Sequence, residues 1–353
     1  MAIAADVAVV GAPFAEGHAY VYTRNTSTCT PSTCLWQNVQ DLHPSGADLF
    51  GRAVAVDADT IVVGAPDTQV GTIAPGAAYV YQKSGTSWVQ TQVLTAPDGA
   101  DGDAFGNSVA ISGDQIVVGA WLASVGTNAE QGAAYVFVHG STGFSFQQKL
   151  TAADGGNSDQ FGTSVAISGG QAIVGAQLAS VGGQRTGAAY AFKRCTLICT
   201  SHPWSQAQKL VASDGVEAQY FGVSVGIDAA TAIVGAWNAG GHGAAYVFSN
   251  SGTAWAQQQE LFASDGGGNF GWSVAIAGTV AVIGAPSASL DDGAAYVFVS
   301  GTGGWSQQYE LTASDAASGA FFGGAVAVSA DSVLVGARYA ENYGQAYFYA
   351  PSP

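Results

Sequence analysis

Asp-Gly pairs open four loops of this chain, "DGADGDAFG" (98–106), "DGGNSDQFG" (154–162), "DGVEAQYFG" (214–222) and "DGGGNFG" (265–271). In the first, Asp98, Asp101 and Asp103 are spaced closely enough to share a cation, and in the second Asp154, Asn157 and Asp159 could do the same. Asp-Gly is also ordinary turn chemistry, in which the carboxylate accepts a hydrogen bond from a nearby backbone N–H, and the turn reading is the simpler one for each loop. A second group stands directly after a recurrent Gly-Ala. Pro13, Pro66 and Pro286 follow it in three copies, but Trp121, Gln177, Trp237 and Arg338 follow it in the others. A large ring at the start of a surface loop is either covered by its neighbours or stacks on a ligand, which makes these four the candidate ligand-binding residues. There is no HExxH and no phosphate-cradling glycine loop, while His18, His43, His139, His202 and His242 fall in different units and read as solvated loop residues. The expectation is a protein without enzyme activity.

Composition narrows the partners. The chain has 353 residues, 48% of them hydrophobic and only 10% charged, with a formal net charge of -16, so it can bury a large core. An acidic surface of that kind repels phosphate backbones and anionic headgroups, which excludes nucleic acid as a partner. No apolar run reaches the roughly 18 residues of a membrane-spanning helix, and no direct membrane insertion is expected.

The elements that position these residues recur. "FGNSVAISGDQIVVGA" from Phe105 returns as "FGTSVAISGGQAIVGA" from Phe161, "FGVSVGIDAATAIVGA" from Phe221 and "FGWSVAIAGTVAVIGA" from Phe270, with looser copies from Phe50 and Phe322. The closing Gly-Ala falls at Gly11, Gly64, Gly119, Gly175, Gly235, Gly284 and Gly336, at spacings of 53, 55, 56, 60, 49 and 52 residues. Each unit reads as four β segments: "SVAIS", "IVVGA", "GAAYVF" and an alternating segment such as "WSQQYEL". Seven four-stranded units of that length predict an all-β, seven-bladed β-propeller of antiparallel blades. The blades are expected at about 1–42, 43–94, 95–150, 151–210, 211–261, 262–311 and 312–353, in one domain covering 1–353. Unit one lacks the Phe-Gly start and unit seven the "WxQQxxL" end, so blade seven should lack its outer strand and leave the edge of "AYFY" open. On the repeat's spacing, the natural chain is expected to extend upstream by about 20 residues, which would supply that strand.

Phe-Gly at 50, 105, 161, 221, 270 and 322, followed in phase by Gly-Ala-Pro or a variant, resembles the FG-GAP repeat of integrin α-subunit propellers and their bacterial relatives. The resemblance covers essentially the whole chain. It implies a propeller, and in the calcium-binding members an Asp-rich loop between the first two strands. Here that connection is only "SGD" (112–114), "SGG" (168–170), "DAA" (228–230), "AGT" (277–279), "SAD" (329–331) or "DAD" (57–59), too few oxygens for a calcium ion. No cofactor is required; calcium is possible only outside the integrin-type loops, which are absent.

The unit assignment bears on the cysteines. Cys29 with Cys34 and Cys195 with Cys199 sit in units one and four, nearly opposite on a seven-membered ring, so one shared zinc site is excluded. Two local disulfides are the simpler account over free thiols, and imply an extracellular, cell-surface or periplasmic location. Strand direction sorts the acids. The inter-blade loops and the connections from second to third strand share one face, with sixteen acids against two bases, Arg185 and Arg338. The expected function is an extracellular binding or adhesion module that engages a protein or glycan ligand on that face, either monomeric or as part of a larger surface protein. A lectin with Trp-lined sites and a purely structural domain are the alternatives.

Overall fold

The computed structural model describes residues 1–14, 17–24, 35–195, 203–288, 292–315, 318–340 and 344–350. Seven antiparallel blade sheets follow one another along the chain among the described residues, and a two-stranded hairpin, Ser180–Val181 with Gln184–Arg185, interrupts blade 4 between its second and third strands. Blade 1 comprises Ala2–Ala4, Val7–Ala12, His18–Arg24 and Trp36–Leu42. Blade 3 comprises Phe105–Ser112, Gln115–Ala120, Ala133–Gly140 and Gly143–Leu150. Blades 2, 4, 5 and 6 repeat the plan, and blade 7 has three strands, Phe322–Ser329, Ser332–Ala337 and Gln345–Tyr349. First strands of successive blades are neighbours around the axis, and Ala2–Ala4 beside Phe322–Ser329 closes the ring. No helix among the described residues is long and apolar enough to cross a membrane.

The repeat's residues explain how blades meet. A Cβ built on Gly119 would lie 2.1 Å from the carbonyl oxygen of Gly162, and one on Gly175 1.9 Å from that of Gly222. The Gly of Gly-Ala therefore receives the carbonyl of the next blade's Phe-Gly, and no side chain fits between them. A serine two residues past the Phe-Gly of the same blade as the Gly-Ala completes the contact: Ser108, Ser164, Ser224 and Ser273 each donate at 2.8 Å to the Gly carbonyl of the following blade. The carbonyl, shut away from water, is thereby satisfied. Each Phe is buried edge-on or tilted against the Tyr of its own third strand, as Phe105 on Tyr135 at 5.5 Å and Phe221 on Tyr246 at 5.3 Å. The recurrent Tyr is thus core packing.

Outer strands are joined differently. The amide of Gln40 accepts from the Trp88 backbone N–H at 2.7 Å and donates to its carbonyl at 2.7 Å. Gln148 grips Trp204 at 2.8 and 2.8 Å, Gln208 grips Trp255 at 2.8 and 2.9 Å, and Gln259 grips Trp305 at 2.7 and 2.8 Å. Gln92 holds Phe144 in the same way. A side-chain amide is suited to this because it offers a donor and an acceptor side by side on one planar group.

Candidate functional site

His18 is the first residue of the third strand of blade 1, and Asp41 is the last but one of the fourth. Cross-strand pairing sets Asp41 opposite Tyr20, so Asp41 is the diagonal neighbour of His18 on one face of the sheet. The consequence is a short contact: His18 Nδ1 lies 3.0 and 3.1 Å from the two carboxylate oxygens of Asp41. His43, just past the end of the fourth strand, folds back and stacks on His18 with ring centroids 4.6 Å apart and 17° between planes. Tyr20 also stacks on His18, at 5.7 Å and 7°. Burial, and then the charge of Asp41, push the Tyr20 phenol above its ordinary value and keep it neutral.

Hydrogen bonding fixes the tautomers. His43 Nδ1 is 2.8 Å from the Gly17 carbonyl, which can only accept, so this nitrogen carries the proton. The carboxylate of Asp41 can only accept, so Nδ1 of His18 carries the proton of that contact, and in a neutral ring Nε2 is the basic nitrogen. The His18 side chain is 25% exposed and that of Asp41 45%. An imidazole oriented by a carboxylate is the arrangement of a general base. The two histidines, expected to be scattered, meet in a stack; His18 is held in a strand rather than a solvated loop, whereas His43 is exposed as expected. The missed signal was hairpin geometry, because the start of a third strand and the end of the fourth are far apart in sequence and adjacent in space.

The residues expected from the sequence occupy other places. Trp237 stacks on Tyr220 at 4.6 Å and leans on Trp272 at 5.8 Å, which covers its ring with neighbours. Gln177 donates to Gln160 at 2.8 Å, and Trp121 is half-buried at the start of the corresponding loop of blade 3. Arg338 rests over Phe14 at 4.8 Å and Tyr339 at 5.2 Å. Phe14 belongs to the connection that leads to His18, since the Gly17 N–H reaches back to its carbonyl. Arg338 is thus the one of the four that borders the His18 loop.

In the Asp-Gly loops each group has its own partner. Asp98 pairs with Lys149 and Asp154 with Lys209, both at 2.7 Å. Asp101 accepts from Ala74 N–H, Asp103 from Ala100, Asn157 from Ala129 and Asp159 from Gly156, at 2.8 to 2.9 Å. Asp103 and Asp159 are buried, and burial raises both above the usual carboxylate range. Among the described residues no group of three or more His, Cys, Asp or Glu is placed to hold a metal ion. Bonds from Asp101 to Ala74, and from Ser158 to Glu130 at 3.2 Å, set inter-blade loops against second-to-third connections, so both lie on the acidic face, as does the His18 site. Cys195 is disulfide-bonded; Cys29, Cys34 and Cys199 lie outside the described residues.

The FG-GAP repeat family matches the chain over residues 36–81, 88–137, 144–192, 204–248, 255–298 and 305–349. No curated protein matches it. A periplasmic gluconolactonase of Pseudomonas aeruginosa superposes with a TM-score of 0.59 at 15% identity, over 98% of this chain and 99% of that one. A putative 6-phosphogluconolactonase from Bacteroides uniformis gives 0.62 at 11% identity, over 98% and 96%. At such identities the likeness establishes the fold. These findings overturn the expectation of a non-enzymatic binding, adhesion, lectin or structural module, because the same architecture over its full length belongs to proteins named as lactonases.

Proposed function

The chain belongs to the FG-GAP repeat family, and from that premise we propose that it is a hydrolase that opens neutral lactones, with His18 as general base and Asp41 as the carboxylate that orients it. The contact of His18 Nδ1 with Asp41 at 3.0 Å carries this reading. Water, rather than a side chain, is the nucleophile. His18 Nε2 takes a proton from water as the oxygen bonds to the lactone carbonyl carbon, and the imidazolium returns it to the ring oxygen as that C–O bond breaks. The product is a hydroxy acid. Its carboxylate leaves an acidic loop face readily, whereas a phosphorylated lactone would be repelled on approach. The disulfide of Cys195 supports placement outside the reducing cytoplasm.

Hydrolysis of D-glucono-δ-lactone, followed by acid release against the uncatalysed rate, tests the proposal. The His18→Ala variant should lose about 10²- to 10⁴-fold in kcat, and Asp41→Asn should fall well below the parent with its fold intact. The 6-phosphorylated lactone should be a poorer substrate whose rate improves with salt. A rate equal to that of buffer, or an unchanged rate in His18→Ala, would overturn the reading.

A further inference from the structure

Three aromatic side chains meet at one place on the acidic face. Trp237 follows the Gly-Ala of blade 5 and opens a second-to-third connection, Tyr220 ends the inter-blade loop before Phe221, and Trp272 follows Phe270-Gly271 just ahead of the innermost strand of blade 6, Ser273–Ala277. Backbone contacts hold all three. A Cβ built on Gly271 would lie 3.0 Å from the Ala236 nitrogen, which brings Trp272 alongside Trp237. Asn238, next after Trp237, donates from Nδ2 to the Ala218 carbonyl at 2.8 Å and from its backbone N–H to the Gln219 carbonyl at 3.3 Å, fastening the Tyr220 loop to the same spot. Tyr220 has a φ of 60°, the left-handed conformation adopted by the residue before every Phe-Gly that opens a blade. Its ring lies on Trp237 at 4.6 Å and 21°, and Trp272 meets Trp237 at 5.8 Å with 59° between the planes. Two indoles at that angle form a corner, and Trp272 is 38% exposed.

The protein's own cations show what such rings take. Five of the nine Lys and Arg side chains lie over an aromatic ring: Arg24 on Trp36, Lys83 on Trp88, Lys149 on Tyr135, Lys209 on Tyr190, and Arg338 on both Phe14 and Tyr339, at 4.8 to 6.0 Å. Arg338 is the informative case. It holds in blade 7 the position after Gly-Ala that Trp237 holds in blade 5, and its neighbour Tyr339 packs edge-on against Phe321, the counterpart of Tyr220. Blade 7 thus brings its own cation to the rings at this locus, whereas blades 5 and 6 bring three rings and no cation among the described residues. Charge favours the same kind of ligand. Glu217, exposed three residues before Tyr220, has no cationic partner among the described residues, and the whole face is acidic. An indole face carries the negative end of the ring quadrupole, so a cation gains from both walls of the corner. A primary ammonium holds its water tightly and needs acceptors, but the Ala218 and Gln219 carbonyls already accept from Asn238.

We propose that the corner between Trp237 and Trp272 binds a small quaternary ammonium ion, with Tyr220 backing Trp237 and Glu217 adding attraction through space. The site does not depend on the hydrolytic chemistry, since the His18–Asp41 pair belongs to blade 1.

Choline and its neutral isostere 3,3-dimethylbutan-1-ol, titrated into the full chain and followed by calorimetry, are the probes. Choline should bind about tenfold or more tightly than the alcohol, because the two share a shape and only one carries charge. Trp272→Ala should abolish this preference, Trp272→Phe should reduce it, and Glu217→Gln should weaken choline while leaving the alcohol unchanged. His18→Ala should bind choline as the parent does, which separates this site from the fate of the lactonase reading. Equal affinity for choline and the alcohol, no choline binding at tens of millimolar, or an undiminished preference in Trp272→Ala would each overturn the proposal.

Discussion

Glu260 stands opposite Tyr246 in the position that Lys149 and Lys209 hold opposite Tyr135 and Tyr190. This exchange of sign reverses the linkage of folding to pH. Burial, and then the charge of Asp214, raise Glu260 above its ordinary value, and burial with Asp265 does the same to Glu310. Asp98 and Asp154 are lowered: burial opposes ionisation, but the hydrogen bonds from Lys149 and Lys209 outweigh it. A raised carboxyl contributes stability that is present at low pH and lost as pH rises through its folded value. A lowered one contributes stability that is present at neutral pH and lost as pH falls through its folded value. Replacing Glu260 by Gln should therefore raise Tm near pH 7 by roughly 1–3 °C and change it little near pH 3.5. Lys149→Met should lower Tm near pH 7 and converge with the parent in acid. Calorimetry at the two pH values checks both signs. These pairings were hard to read from sequence, because Asp98 and Lys149 are 51 residues apart and meet only when an inter-blade loop folds onto its own blade. The His18–Asp41 pair was hidden for the same reason, since a local search for metal or nucleophile spacing never compares opposite ends of a hairpin.

Blade junctions depend on two kinds of element contact, and mutations distinguish them. Gly175→Ala would force a Cβ to within 1.9 Å of the Gly222 carbonyl, which is backbone and cannot step aside. A loss of more than about 3 kcal/mol in denaturant unfolding is expected, in line with overpacking of a rigid contact. Gln208→Ala removes the two bonds to Trp255, whose ring is buried, and should lower stability by about 1–3 kcal/mol. Gln258→Ala, with its amide on the solvent side, should be neutral and serves as the control. The propeller itself was plain in the sequence, because Phe-Gly and Gly-Ala recur in phase and no alternative fold needs that period. The clamps were not. A Gln in an alternating outer strand looks like any solvated polar residue, and only the neighbouring blade reveals what it holds.

Ring closure uses different chemistry from the other junctions. Arg24, only 8% exposed, donates from Nη2 to Asp6 at 3.0 Å and to Asp331 at 2.5 Å, and from Nη1 to Ser332 at 3.2 Å. It thus ties the turns of blades 1 and 7 together. Ala325 replaces the serine of the inner contact, Gly336 meets Met1 instead of a Phe-Gly carbonyl, and no Gln reaches Trp36 among the described residues. Besides the ion pairs, Phe348 packs on Trp36 and Tyr22, Arg338 rests over Phe14, and Met1, Ile3 and Ala8 meet Ala327 and Leu334 in a small apolar cluster. In a ring of repeats that each contact only their neighbours, local opening begins where the junction has the fewest contacts. Arg24→Met should therefore destabilise by about 1–3 kcal/mol, discounted because the carboxylates are nearly half exposed. Amide exchange should rise first in 2–12 and 322–349, ahead of blade 4. Acid should have the same effect. Although burial favours the neutral form of Asp331, its hydrogen bond from Arg24 holds it below the usual carboxylate range, so the latch is intact at neutral pH and is lost as pH falls through that value. Uniform exchange across all seven blades in Arg24→Met, or no shift between neutral and acid pH in the order of opening, would show that closure does not rest on this residue.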